Sequence, residues 1–174
     1  MNLKLVYLSL DVCFSPRGNA IAWVSHDSSL NVYYPESQFL SVVKTASLPF
    51  VKLLWLGEGT IVAAGHDYIP AVFQGSDGTA WKLVEKINPG NKKNALASNS
   101  AFNKFKQMDS RKQDSASDLQ LASVHQNSII DLRIFDIDEE TQTVSKFSSC
   151  GLDGKIVVWD LKALSKALEN LTIS

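Results

Sequence analysis

Two dipeptides, His26-Asp27 and His66-Asp67, set an imidazole beside a carboxylate, a pairing that can bind a divalent metal or move protons. They stand 40 residues apart in similar surroundings, Ala22-Trp23-Val24-Ser25-His26-Asp27 and Val62-Ala63-Ala64-Gly65-His66-Asp67. A third stretch keeps the aspartate as Asp153 but has Leu152 where the histidines stand. A tight turn needs an aspartate that can bond its own backbone, whereas a metal-dependent hydrolase built on His26, Asp27, His66 and Asp67 needs the histidines as well. The pattern therefore favours turns over catalysis, and no enzyme activity, metal or cofactor is expected. Phosphate-loop, Gly-x-Ser-x-Gly and zinc spacings are absent. Nothing in the chain order assembles a nucleophile, a base and an oxyanion donor. Cys13 and Cys150 lie far apart in apolar runs, which predicts two buried, unreactive thiols in a reducing intracellular compartment.

The elements that hold these residues are short. The chain has 174 residues, 45% hydrophobic and 20% charged, enough for one domain with a sizeable core. With 17 Lys and Arg against 18 Asp and Glu, the balance argues against a nucleic-acid partner. No apolar run reaches the roughly 18 residues of a membrane span. Met1 to Leu10 carries one Lys and no small-residue cleavage pattern, so no signal peptide is expected.

Apolar runs 11–15, 20–24 and 30–34 are separated by Pro16-Arg17-Gly18-Asn19 and Ser25-His26-Asp27-Ser28-Ser29, which predicts strand, turn, strand, turn, strand. The pattern repeats over 50–56, 60–64 and 69–73, and again over 129–135, 144–150 and 155–159. Six residues after each turn aspartate sits an aromatic: Tyr33, Phe73 and Trp159. A period near 40 with three or four strands per unit is the mark of propeller blades. Asp67 and Asp153 are 86 apart, so an insertion must separate the second and third units.

Composition places that insertion at 88–123. Its middle, near 98–111, sets Ala101, Phe102, Phe105 and Met108 at helical spacing, with Ser98 or Ser100 as a cap. Between Asn91 and Lys112 six basic residues face one acidic one, a local balance of +5. Leu161, Leu164, Leu168 and Leu171 form one stripe of a second predicted helix over 161–174. The division expected is two blades in 1–87, the insertion, a last blade in 124–160, and the final helix.

The last unit contains His125, Ser149, Asp153 and the pair Trp159-Asp160, placed as in a WD repeat. The likeness implies a hydrogen-bonded relay of His125, Ser149, Asp153 and Trp159, since buried polar groups must satisfy one another. The first two units carry Trp23 and Ala63 in place of that serine and lack the terminal Trp-Asp, so they are expected to rely on apolar packing. Together with Val124-His125-Gln126-Asn127-Ser128-Ile129, Gly151-Leu152-Asp153-Gly154 and Phe105-Lys106-Gln107-Met108-Asp109, these strings resemble subunit 1 of the actin-related protein 2/3 complex. The resemblance implies an all-β, WD40-type β-propeller that is partial, about three blades of a seven-bladed ring, with an inserted and a C-terminal helix. It further implies a non-catalytic scaffold of the cytoplasm and actin cytoskeleton. Its partners would be the other complex subunits, the actin filament and acidic nucleation-promoting factors. Phe102, Phe105 and Met108 would be apolar anchors on the mother filament, with Lys104, Lys106 and Arg111 facing acidic actin. A generic WD-repeat adaptor for another complex is the alternative. Three blades cannot close a ring, so a truncated product with two open blade faces, marginal alone, is expected.

Overall fold

The computed structural model describes residues 8–88, 123–139 and 143–162. They form three antiparallel sheets and eleven strands. The first sheet is the meander β1 (Ser9–Phe14), β2 (Ile21–Ser25), β3 (Ser29–Tyr34) and β4 (Phe39–Lys44). The second is β5 (Phe50–Gly57), β6 (Thr60–Gly65), β7 (Ala71–Ser76) and β8 (Thr79–Lys86). The third has three strands, β9 (Ile129–Asp138), β10 (Thr143–Gly151) and β11 (Ile156–Asp160). The nine runs read from the sequence are nine of these strands. The other two, β4 and β8, escaped that reading because three of the six residues of β4 and six of the eight of β8 are exposed, Leu40, Val42, Leu83 and Val84 among them.

The sheets stack in order, and their first strands β1, β5 and β9 lie against one another. Period-2 alternation gives every strand two faces, and in the middle sheet both are apolar. One carries Phe50, Leu53, Trp55, Ile61, Ala63, Ala71 and Phe73 against Ala22, Val24, Leu30 and Val32 of the first sheet. The other carries Leu56, Val62 and Ala64 against Ile129, Leu132, Phe147 and Trp159 of the third. Within the second sheet, edge-to-face pairs of Phe50 with Phe73 at 5.7 Å and of Trp55 with Trp81 at 5.5 Å order the face that meets the first sheet, geometry that aromatic quadrupoles favour.

Polar groups pin the same contact at both margins. The Asp11 carboxylate accepts the Leu53 N–H at 3.0 Å and pairs with Lys52 at 3.2 Å. The Trp81 N–H donates to Ser41 at 2.9 Å and its indole to the Tyr34 hydroxyl at 3.3 Å. The Arg17 N–H donates to Glu58 at 2.7 Å. The first two sheets thus hold by more than the apolar packing expected of them. The thiols also differ from expectation: Cys13 and Cys150 are free and only half-buried, because each lies near a sheet margin. Burial first, and then the charge of Asp11, push the Cys13 thiol up. The predicted helices at 98–111 and 161–174 lie outside the described residues, apart from the first two positions of the second.

The turn after β2, β6 and β10 has one geometry. The residue following each turn aspartate takes a left-handed backbone: Ser28 at φ 64, Tyr68 at φ 64 and Gly154 at φ 75. Only glycine does this without strain. Gly154→Val is expected to lower stability by about 1–2 kcal/mol, read as a shift of the urea midpoint with an unchanged slope. Phe73→Ala, which empties the first sheet contact, should cost about 3–5 kcal/mol in the same assay.

Candidate functional site

The three turn aspartates are the repeated feature, and the structure assigns each a job. Asp27 receives the Ser29 hydroxyl at 2.6 Å and Lys44 at 3.3 Å. Asp67 receives the Leu48 N–H at 3.1 Å and Lys86 at 2.9 Å. Lys44 and Lys86 are the last residues of β4 and β8, so in the first two sheets the fourth strand supplies the cation that braces the turn. Burial works to raise these two carboxyls, but the hydroxyl, N–H and lysine bonds outweigh it and hold both below the usual range.

The third sheet has no fourth strand among the described residues, and its aspartate is braced differently. The Asp153 carboxylate accepts the N–H of Gln126 at 2.8 Å and of Lys155 at 3.1 Å. It also faces His125 Nδ1 at 3.1 Å. His125 is fully buried, and its Nε2 lies 2.7 Å from Ser149 Oγ. The Trp159 indole N–H donates to that same oxygen at 2.8 Å. Counting donors assigns the protons: Trp159 donates to Ser149, Ser149 to His125 Nε2, and His125 Nδ1–H to Asp153. The predicted relay of His125, Ser149, Asp153 and Trp159 therefore exists as a closed chain of buried partners.

Its order is that of a Ser-His-Asp triad, an arrangement the linear sequence did not reveal. It cannot act as one. Ser149 is 1% exposed, and its oxygen already accepts the indole proton, so no acyl carbon can approach. The histidines of the other corners are not in such chains. His26 and His66 are both exposed, and His66 Nδ1 meets Ser128 Oγ of the third sheet at 2.9 Å. Among the described residues no three His, Cys, Asp or Glu side chains gather as a metal site, and Asp27 and Asp67 are occupied by lysines, so the hydrolase reading finds no site. No described helix is long and apolar enough to cross a membrane.

An open depression of about 400 Å³ lies between the second and third sheets, walled by Leu56, Val72, Ile87 and Val144, with Glu58 and Glu85 at its margin. Burial raises the Glu85 carboxyl. The residues expected to contact actin, Phe102, Lys104, Phe105, Lys106, Met108 and Arg111, lie outside the described residues.

Stacked four-stranded meanders with a His-Ser-Asp-Trp relay define a WD-type β-propeller, here a partial one. No family model matches the chain. Curated relatives do. Actin-related protein 2/3 complex subunit 1A-B of Xenopus laevis is 34% identical over 163 residues, 93% of this chain and 43% of the relative. Subunit 1 of Schizosaccharomyces pombe is 33% identical over 86% of this chain and 44% of the relative. Subunit 1B of Arabidopsis thaliana is 33% identical over 98% and 47%. The chain is thus a relative of actin-related protein 2/3 complex subunit 1 and spans less than half the length of the relatives it matches, in their C-terminal part.

The Asp153 carboxyl is held down to about 2: burial opposes this, and the bonds from Gln126, His125 and Lys155 overcome it. A depressed folded-state value contributes stability that is complete above the unfolded value near 3.8 and is lost as pH falls through the folded one. Stability is therefore expected to drop between about pH 4 and pH 2, and Asp153→Asn should remove part of that drop while lowering stability at pH 7. Tryptophan fluorescence during acid titration reads both. Ser149→Ala should cost about 1–3 kcal/mol, since it leaves the His125 nitrogen and Trp159 N–H buried without a partner.

Proposed function

We propose that the chain is a non-catalytic propeller component of an actin-related protein 2/3 complex, working in the cytoplasm at the actin cytoskeleton. The carrying observation is the 31–34% identity to subunit 1 proteins spread over 86–98% of the chain. The buried relay supports the absence of catalysis, because the Ser149–His125–Asp153 arrangement is a structural clamp sealed from solvent. The turns and blade margins form a scaffold, and the insertion at 88–123 provides the partner contact.

In this reading Phe102, Phe105 and Met108 anchor on the mother filament while Lys104, Lys106 and Arg111 meet acidic actin surface, a helix-on-surface mode of recognition. The other complex subunits and acidic nucleation-promoting factors are the remaining partners. The favourable charge is local: +5 over residues 91–112 in a chain whose net charge is −1.

Two measurements separate the parts of the proposal. Tagged chain should capture the other subunits from a reconstitution mixture, and failure to do so removes the assembly role. Phe102→Ala combined with Phe105→Ala should cut co-sedimentation of the assembled complex with filaments by about tenfold or more, as loss of two apolar anchors does. Unchanged pelleting takes the insertion out of the filament contact and favours the generic adaptor.

A further inference from the structure

We propose that residues 163–174 fold back over the depression between the second and third sheets and seat Leu164 and Leu168 in it, so that a segment of the chain itself fills this gap. The segment lies outside the described residues, and the inference does not rest on the subunit role.

The described structure shows where the segment sets out and which way it faces. Leu161, just after β11, forms part of the depression's wall and packs against the cluster of Leu56, Val62, Phe147 and Trp159. Its neighbour Lys162 is exposed and donates to Asp138 of β9 at 2.7 Å. Both take a helical backbone. The start of the segment therefore already has one side turned to the cluster and another turned to solvent. Leu164 and Leu168 come three and seven positions after Leu161, and at 3.6 residues per turn they share its side. Lys166 comes four positions after Lys162 and shares the other side. A helix continued in this direction carries its leucines along the wall that Leu161 begins and leaves its lysines in water.

The depression suits these side chains. Its walls include Leu56, Val72, Val84 and Val144, and Val84 is 49% exposed. Its volume of about 400 Å³ is more than twice the roughly 150 Å³ that holds a six-carbon ring, so two four-carbon leucine side chains fit. An apolar stripe on a helix gains free energy only where something covers it, and the nearest uncovered apolar surface is the one that Leu161 already touches. The depression reaches Gly57 and Thr60, at the end of β6 away from Asp67. At the Asp67 end His66 and Ser128 link the same two sheets at 2.9 Å. The segment thus ties the third sheet to the second at the opposite end.

The test is hydrogen exchange of the full chain read by mass spectrometry. Amides of 163–171 should exchange about tenfold or more slowly than in an unstructured chain, and exchange at the unstructured rate overturns the inference. Leu164→Asp combined with Leu168→Asp should return 163–171 to that rate and speed exchange at 56–60 and 84–87. Lys166→Asp should change neither. The seat itself is read by cross-linking in a chain carrying Cys13→Ala and Cys150→Ala. There Val84→Cys with Leu168→Cys should be joined by a short bis-maleimide, and Val84→Cys with Lys166→Cys should not. Slow exchange at 163–171 without the first cross-link means that the segment docks elsewhere, and overturns the seat. Slow exchange at 84–87 that survives both leucine substitutions means that another segment or another chain fills the depression, and overturns it too.

Discussion

A sheet with apolar side chains on both faces must have a neighbour on each, and the architecture follows from that constraint. The middle sheet meets it completely. Its one face buries Phe50, Trp55 and Phe73 under the first sheet, and its other buries Leu56 and Val62 under the third. Burial at about 25 cal/mol per Å² makes these two contacts the main source of stability. The polar links between the first two sheets, such as Asp11 to Leu53 and Arg17 to Glu58, fix how they sit; as partly exposed bonds they add little net energy.

The corners show one requirement met in two ways. Each turn aspartate must have its buried lone pairs satisfied. Where a fourth strand is present, its terminal lysine arrives from the side, as Lys44 and Lys86 do. In the third sheet that side is empty among the described residues, and the bond is made from within by His125, which in turn must be satisfied by Ser149 and Trp159. Among the described residues no lysine takes the place of Lys44 and Lys86 at Asp153, and the relay occupies it. This also explains why a Ser-His-Asp order can be structural: the same mutual satisfaction of hydroxyl, imidazole and carboxylate serves catalysis only when the serine is open to solvent, and Ser149 is sealed.

Much of this was legible in the residues. Asp27, Asp67 and Asp153 announced their turns, the aromatic six residues on marked a buried strand position, and the spacing of 40 gave the unit. His125, Ser149, Asp153 and Trp159 could be named as a set. The outer strands β4 and β8 were not legible, because a strand exposed along much of its length loses the alternation that betrays it. The half-burial of Cys13 and Cys150 was hidden for a related reason: an apolar run shows that a strand exists, and says nothing of how near each residue lies to the margin of the packed sheets.

Spacing along the chain therefore determined the repeat, the turn chemistry, the all-β class and the members of the relay, since each shows as residue types at set intervals, from two positions within a strand to 40 between units. Tertiary structure alone decided which faces meet, which lysine reaches which aspartate, and that Ser149 is sealed while Phe14 and Phe135 are open. Those outcomes depend on pairings between strands and between sheets, from the 17 positions that separate Asp27 from Lys44 to the 42 that separate Asp11 from Leu53, and no periodicity within one strand encodes the presence of the next sheet.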